Sequence, residues 1–377
     1  MRDWSDKFLN RFHMDAEIIV KAPGRINIIG EHTDYNLGFV LPAAIDRGIF
    51  FACAESEDTL IEVFAEDFEE SVKFLADIKS PGDGKSWMKY IRAIIVQLNL
   101  RGHYTKSFKC IFGGDIPQGG GMSSSAALCC GLIFTLNELN DWQLTRKQIA
   151  LIAQAAEHSI GIKCGIMDQY ASLFGKKGQV MLLDCRTLET QHFPMELGNY
   201  TLFLINSQQT HEFATENEYN VRRSSCEKVA GILGLKSLRD ADESMLEQHK
   251  DEIDPESFKR ALYVIEENKR VLSLVGALRD GNLDLVGSIL KSAQEGMKNL
   301  YQITTPEIDF LADFINNYPG ALGARMMGGG FGGCTINMVL NEVFDQCIDE
   351  VISSYKNKFG RDAEIYLLHL EDGVNVV

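Results

Sequence analysis

The most chemically loaded stretch of this sequence is Gly119-Gly-Gly-Met-Ser-Ser-Ser125, which runs straight into the apolar segment 123–139. A helix starting there would present free N–H groups and a partial positive charge. Glycines ahead of it let the main chain wrap an anion, and serine hydroxyls can cap the helix or reach a metal. Those are the means of holding a nucleotide's phosphates, although a tight turn with a serine N-cap has the same composition. A second cluster, Gly328-Gly-Gly-Phe-Gly-Gly333, satisfies G-x-G-x-x-G. A strand-like run, Cys334–Leu340, follows it where a dinucleotide fold would open a helix. It reads as a loop packed on a ligand or on the first glycine loop, or as a tight connection between strands. Two familiar phosphate motifs fail. Gly84-Lys85-Ser86 lacks the upstream glycine of a Walker A loop, since position 79 is lysine, and the protein-kinase signature set is absent.

Three further groups carry possible chemistry. Gly24-Arg25 precedes Glu31-His32-Thr33-Asp34-Tyr35-Asn36, a polar run between two apolar stretches. Carboxylates, an imidazole and an amide are what grips sugar hydroxyls, and a solvated turn has the same composition. Two histidines at metal-ligand spacing are missing, which sets zinc aside. Glu157 and Asp168 flank Gly165. Asp168 suits a base or positioning carboxylate, or the cap of a short helix ending at Gly175. Glu157 suits Mg²⁺, which takes one or two carboxylates plus substrate phosphates and water. Tyr219-Asn-Val-Arg-Arg223 falls in a helical stretch and on its own reads as a solvated face.

Elements must hold these groups. Residues 17–29 read as a strand, a break at Ala22–Gly24, and a second strand. Apolar Phe39–Ile45 follows the polar run. Residues 108–112, 178–184, 200–206, 334–340 and 364–369 read as strands. Residues 123–139 read as a helix apolar nearly all round, hence buried. Thr145 through His158 reads as a second helix, with more helix at 212–232, 257–276, 283–298 and between the last two strands. Interleaved helices and strands give an α/β or α+β class. The 377 residues suggest two domains. The boundary is placed near 196, giving 1–196 and 197–377.

Composition narrows the class. Apolar residues make up 45% of the chain, which excludes an intrinsically disordered protein. A net charge of −16 disfavours nucleic acid and anionic membranes as partners. It leaves room for an anionic substrate, because a local site can oppose the global charge. Nine cysteines with no C-x-x-C fit the reduced, mostly buried thiols of a cytosolic protein. No signal-peptide core and no apolar run near the ~18 residues of a membrane span is visible.

Taken in order, KAPGRINIIGEHTDYNLGFVLP (21–42), IPQGGGMSSSAAL (116–128), CGIMDQYASLFGKKG (164–178), EYNVRR (218–223) and RMMGGGFGGCT (325–335) resemble the galactokinase branch of the GHMP small-molecule kinases. The first motif is the specific one, and the glycine-serine loop is shared across the superfamily. The resemblance implies a two-domain α+β fold: an N-terminal domain of the ribosomal-protein-S5-like kind, a C-terminal ferredoxin-like sandwich, and the active site between them. It implies ATP-dependent phosphorylation of D-galactose at the C1 hydroxyl, with Mg²⁺ as cofactor; the cysteine usage places the protein in the cytoplasm, and the lack of a long apolar helix face reads as a monomer. By the same resemblance, Asp168 and Arg25 are catalytic: Asp168 would accept or orient the C1 hydroxyl proton and Arg25 would steady the transferring phosphoryl group. Glu31, His32, Thr33, Asp34, Gly165, Asp168 and Tyr219 would bind the sugar. Gly119, Gly120, Gly121, Met122, Ser123, Ser124 and Ser125 would bind ATP, and Ser125 and Glu157 the metal. Other readings are a kinase for N-acetylgalactosamine or L-arabinose, and a non-catalytic galactose sensor. The chain departs from the family pattern at Met122 and Met327, where leucine and threonine are usual. Its 157–168 segment is about one residue shorter, and it has little sequence before the first motif.

Overall fold

The computed structural model describes residues 2–117, 119–209 and 212–377, so Gln118 of the glycine-serine motif lies outside the described residues. In chain order the first half contains α1 (Arg2–Phe12), β1 (Ile18–Asn27), β2 (Phe39–Val40), β3 (Pro42–Glu55), β4 (Leu60–Ala65), β5 (Glu70–Leu75), α2 (Ser86–Leu100), β6 (Phe108–Gly114), α3 (Ser124–Asn140), α4 (Arg146–Ser159), α5 (Met167–Phe174), β7 (Gln179–Asp184) and β8 (Glu189–Pro194). The second half contains β9 (Tyr200–Asn206), α6 (Glu212–Ile232), α7 (Glu243–Gln248), α8 (Pro255–Arg279), α9 (Leu283–Gly296), α10 (Pro306–Asn316), β10 (Ala321–Met327), β11 (Cys334–Leu340), α11 (Phe344–Phe359), β12 (Glu364–Leu367) and β13 (Asn375–Val376).

Among the described residues the first half builds a sheet in the order β13-β1-β3-β6-β4-β5 and a small one in the order β2-β7-β8. Only the β4–β6 pairing in the larger sheet is parallel. The second half builds an antiparallel sheet in the order β10-β11-β9-β12. Its strands, with the helical block after β9 and with α11, follow the β-α-β-β-α-β pattern of a ferredoxin-like sandwich. The chain then returns to the first half, where Val376 pairs with Val20 at the sheet edge.

β1 does not break at Ala22–Gly24 as its composition suggests. Proline there lacks a donor, and the strand absorbs the irregularity as a register shift between Pro23 and Arg25. Beyond the shift, the Arg25 N–H leaves the ladder and donates to Met122 O at 3.1 Å. The irregularity thus ties the strand to the glycine-serine loop.

α3 lies under this sheet, and its apolar circumference is explained by burial on every side. Gly131 makes the approach possible: a Cβ there would fall 2.2 Å from the Phe51 ring and 2.7 Å from Ala22 Cβ. A second apolar cluster spans the halves, joining Ile26, Ile28 and Leu41 to Leu204, Val271, Leu290 and Ile336. It holds the cleft walls in register. All nine cysteines are free, and all but the half-buried Cys164 are buried. No helix among the described residues is long and apolar enough to cross a membrane.

Candidate active site

Arg25, just past the β1 register shift, reaches the first turn of α5. Its Nε donates to Asp168 Oδ1 at 2.7 Å and its Nη2 to Oδ2 at 3.0 Å. A planar fork facing a planar carboxylate fixes both groups. The third arm of the fork, Nη1, donates to Gly121 O at 2.5 Å. Arg25 is buried, while the Asp168 side chain keeps 27% of its surface open. Asp168 does not cap its helix, whose N-cap is Ile166. The serine cap expected for α3 is also absent. Ser123 occupies that N-cap position with φ 58° and makes no capping bond, and its hydroxyl instead donates to Asp168 Oδ2 at 2.5 Å. A left-handed non-glycine residue costs energy, and such positions concentrate at functional sites.

The segment 31–36 folds against this pair. Asp34 accepts N–H bonds from Tyr35, at 2.8 Å, and from Met167. Burial, and next the charge of Asp168, push its carboxyl up to about 6. Gly165 exists for this carboxylate: a Cβ at 165 would lie 1.7 Å from Asp34 Oδ2. His32 is held neutral by burial, which drives its imidazole down to about 3. Its Nε2 lies 3.1 Å from the Gly329 carbonyl and therefore carries the proton, and Nδ1 accepts from the Tyr35 hydroxyl at 2.8 Å. Both ring nitrogens are thus bonded within the protein. The Tyr35 hydroxyl, whose O–H is donated to His32, accepts at its oxygen from the Tyr301 hydroxyl at 2.7 Å. The rings of Tyr35 and Tyr219 complete an aromatic cluster around His32. Glu31 is fully buried against Arg325. Thr33 is the one sugar-loop residue the structure sets behind the wall. It is fully buried, and its hydroxyl is engaged with Gly30 O and Phe39 O.

These groups enclose a cavity of about 210 Å³, lined by Arg25, Glu31, His32, Asp34, Asp168 and Tyr219 among others. A wider cavity of about 440 Å³ lies across the glycine-serine loop, walled by Trp87, Tyr90 and Phe112 and floored by Gly119, Ser124 and Ser125. The first is sized and furnished for a small polyol. The second offers aromatic faces beside a helix N-terminus, which suits a nucleotide. Arg25 and Asp168 line the first cavity, and the groups that hold them, Gly121 O and the Ser123 hydroxyl, belong to the loop that floors the second. Met122 is buried, and its carbonyl anchors Arg25. Behind the loop, Glu157 is buried and bonded by Ser125 and by the Gln169 amide, and burial pushes its carboxyl up to about 7. Among the described residues no three His, Cys, Asp or Glu side chains cluster as a metal cage.

The second glycine cluster packs on the first: a Cβ at Gly328 would sit 3.5 Å from Gly121 O, and one at Gly333 3.7 Å from Gly119 O. The 219–223 stretch is not a solvated face. Arg222 is buried and donates to Tyr301 O at 3.0 Å and to Gln302 O at 2.5 Å. Sequence reasoning missed Arg325, Tyr301 and the Trp87–Tyr90 wall. Nothing local assigns them their partners, because each lies far in the chain from the motif it serves, although Arg325 opens the 325–335 motif.

Three family models match the chain: the galactokinase galactose-binding signature at residues 6–55, the GHMP kinase N-terminal domain at 89–176 and the GHMP kinase C-terminal domain at 274–356. A galactokinase of Thermotoga petrophila is 38% identical over 359 residues, covering 95% of this chain and 99% of its own. One of Thermotoga maritima is 37% identical over the same length, with the same coverage. Among solved structures, Lactococcus lactis galactokinase complexed with galactose aligns with TM-score 0.95 at 31% identity, covering 100% of this chain and 99% of its own. Methanococcus jannaschii mevalonate kinase shares the fold, with TM-score 0.66 at 20% identity over 94% of this chain and 98% of its own.

Proposed function

From the premise that the chain belongs to the galactokinases of the GHMP kinase family, we propose that it transfers the γ-phosphoryl group of ATP to the C1 hydroxyl of D-galactose, giving α-D-galactose 1-phosphate and ADP. The observation that carries this reading is the position of Asp168, which lines the polyol-sized cavity and is held by Arg25 and by Ser123, a residue of the loop whose Gly119, Ser124 and Ser125 line the aromatic-walled cavity.

Phosphoryl transfer asks for positioning and charge stabilisation more than covalent chemistry. Galactose occupies the smaller cavity, with Asp34, Glu31 and Tyr219 as its polar walls and Gly165 leaving the room. ATP lies in the larger one, its phosphates over the 119–125 loop and the α3 N-terminus. Asp168 orients the attacking hydroxyl and is the nearest acceptor for its proton. Arg25 fixes that carboxylate and opposes the negative charge that spreads over the γ-phosphoryl oxygens. Mg²⁺ fits the buried Glu157 beside Ser125, because a cation there would offset the burial that drives this carboxyl towards neutrality. When bound, it would neutralise charge on the β- and γ-phosphates. His32 and Thr33 have their polar atoms engaged within the protein, so they shape the wall; Glu31, whose carboxylate takes Arg325 and the Gly328 N–H, lines the cavity beside them.

A non-catalytic sensor would not need Arg25, Asp168 and Ser123 assembled, and a kinase for another sugar is not what the galactose signature favours. We place the domain junction near residue 196 and the protein in the cytoplasm as a monomer, without nucleic-acid or membrane partners. The test is ADP release with Mg-ATP against a panel of free sugars, with the phosphate position read by phosphorus NMR. Turnover on galactose at C1 is expected. Turnover confined to another sugar, or phosphorylation at another position, would overturn the assignment.

A further inference from the structure

The centre of β10 carries an arginine with no exposed surface, and its counter-charge comes from the other half of the molecule. Arg325 Nη1 donates to Glu31 Oε2 at 2.5 Å and to Ile28 O at 3.1 Å, and Nη2 also contacts Oε2. The remaining oxygen, Oε1, accepts the Gly328 N–H at 3.2 Å. Next along the sugar segment, His32 Nε2–H bonds Gly329 O at 3.1 Å. Two consecutive residues of the sugar wall therefore hold two consecutive residues of the second glycine loop. The same loop packs on the phosphate loop: a Cβ at Gly328 would lie 3.5 Å from Gly121 O and one at Gly333 3.7 Å from Gly119 O. Helix α8 braces the arrangement from behind. Tyr263 donates to Glu31 O at 3.2 Å, and Glu267 accepts the Gly30 N–H at 2.9 Å.

A buried charge cannot shift without its partner, because leaving either ion unpaired in a low-dielectric interior is costly. When Glu31 adjusts to a sugar, Arg325 and the Gly328 N–H must follow, and the second glycine loop moves against the phosphate loop. We infer that Arg325 is a positioning residue that couples the two substrate sites: through Glu31 and residues 328–329, it makes galactose affinity depend on nucleotide occupancy, and the reverse. Coupling of this kind is reciprocal by linkage. Arg325 itself, with no exposed surface, touches neither substrate. The inference rests on the assignment of the smaller cavity to galactose and the larger to the nucleotide.

The test is calorimetric. Galactose dissociation constants are measured with and without saturating Mg²⁺ and the non-hydrolysable β,γ-imido analogue of ATP, on wild type and on R325K. The expected wild-type coupling factor is at least about fivefold, the low end of typical couplings. In R325K, lysine keeps the charge but not the fork, so the factor falls to within about twofold of one. Nucleotide affinity alone stays within about threefold of wild type. Steady-state kinetics then separate the roles: the galactose KM stops depending on ATP concentration in R325K, which a merely structural defect would not produce. Should R325K not fold, the doubly neutral E31Q/R325Q leaves no unpaired buried ion and should lose coupling as well. Undiminished coupling in a folded variant overturns the inference. So does a wild-type factor of one with both ligands bound. A wild type that binds no galactose at all removes the site assignment, and this inference with it.

Discussion

Replacing Gly165 with alanine adds one methyl group, and the structure says where it would go. It would fall 1.7 Å from Asp34 Oδ2 and 2.0 Å from Asp34 Cγ, far inside any van der Waals contact. Asp34 is short and has no long arm to swing aside. Its carboxylate accepts from two backbone N–H groups, of Tyr35 and Met167. Displacing it removes both bonds, and hydrogen bonds to a charged group contribute about 1.5–3 kcal/mol each. The loss therefore comes to about 3–6 kcal/mol, shared between folding stability and sugar binding. If half falls on binding, galactose affinity drops roughly tenfold to 150-fold, at 1.4 kcal/mol per decade. The nucleotide cavity is lined without either residue, so the ATP KM should move less than about threefold. Steady-state kinetics with each substrate varied, beside a thermal melt, would measure the split. A control isolates the cause. If the methyl acts only by evicting the carboxylate, D34A/G165A should be no worse than D34A alone, a non-additivity expected of residues in contact. A galactose KM within threefold of wild type in G165A, or fully additive losses in the double variant, would refute the reasoning.

Three further outcomes follow from the geometry. D168N should retain galactose binding by calorimetry yet lose about 10²–10⁴ in kcat, the usual weight of a positioned acid or base; normal turnover would remove Asp168 from the chemistry. G131A puts a Cβ 2.2 Å from the Phe51 ring, and overpacking a helix on a sheet this closely should cost about 1–3 kcal/mol or more, seen as a lowered Tm with the KM values unchanged. The ligand-free protein should gain stability on acidification: Glu157, raised by burial from 4.5 to about 7, binds a proton more readily folded than unfolded, so its penalty is full above pH 7 and is relieved as pH falls towards 4.5. That span amounts to about 3 kcal/mol. Melting curves from pH 8 to 5.5 should show a smaller rise in E157Q, and also in wild type when Mg²⁺ and nucleotide are bound.

The elements that proved legible in the sequence are those whose burial shows in composition. α3 is apolar all round because it is buried all round. β9 and β11 are continuous apolar runs because they lie at the centre of their sheet. What stayed hidden depends on partners. The β4–β5 hairpin is edge structure with alternating charge, and its identity comes from pairing with β6. The Ala22–Gly24 break was misread because a proline and a glycine do interrupt an isolated strand. Here, β3 pairs with β1 before and after the interruption, and the strand continues through it as a register shift.

The site divides in the same way. Local composition marks groups that act through their own backbone, such as the two glycine loops, whose packing on one another was one of the readings the sequence left open. It marks side-chain types too, but not which way they spend their hydrogen bonds. Ser123 carries the signature of a helix cap, and its hydroxyl serves Asp168 instead. Thr33 and His32 sit in a sugar-binding pattern, yet their polar atoms are engaged by Gly30, Phe39, Tyr35 and Gly329. Such choices are settled by whichever partner the fold brings within 3 Å. For Glu31 that partner is an arginine 294 residues away. A buried arginine in a strand otherwise made of Ala, Leu, Gly and Met is the one local sign of it. An interior cation obliges the fold to supply an anion, and the acids within reach are the ones in the site.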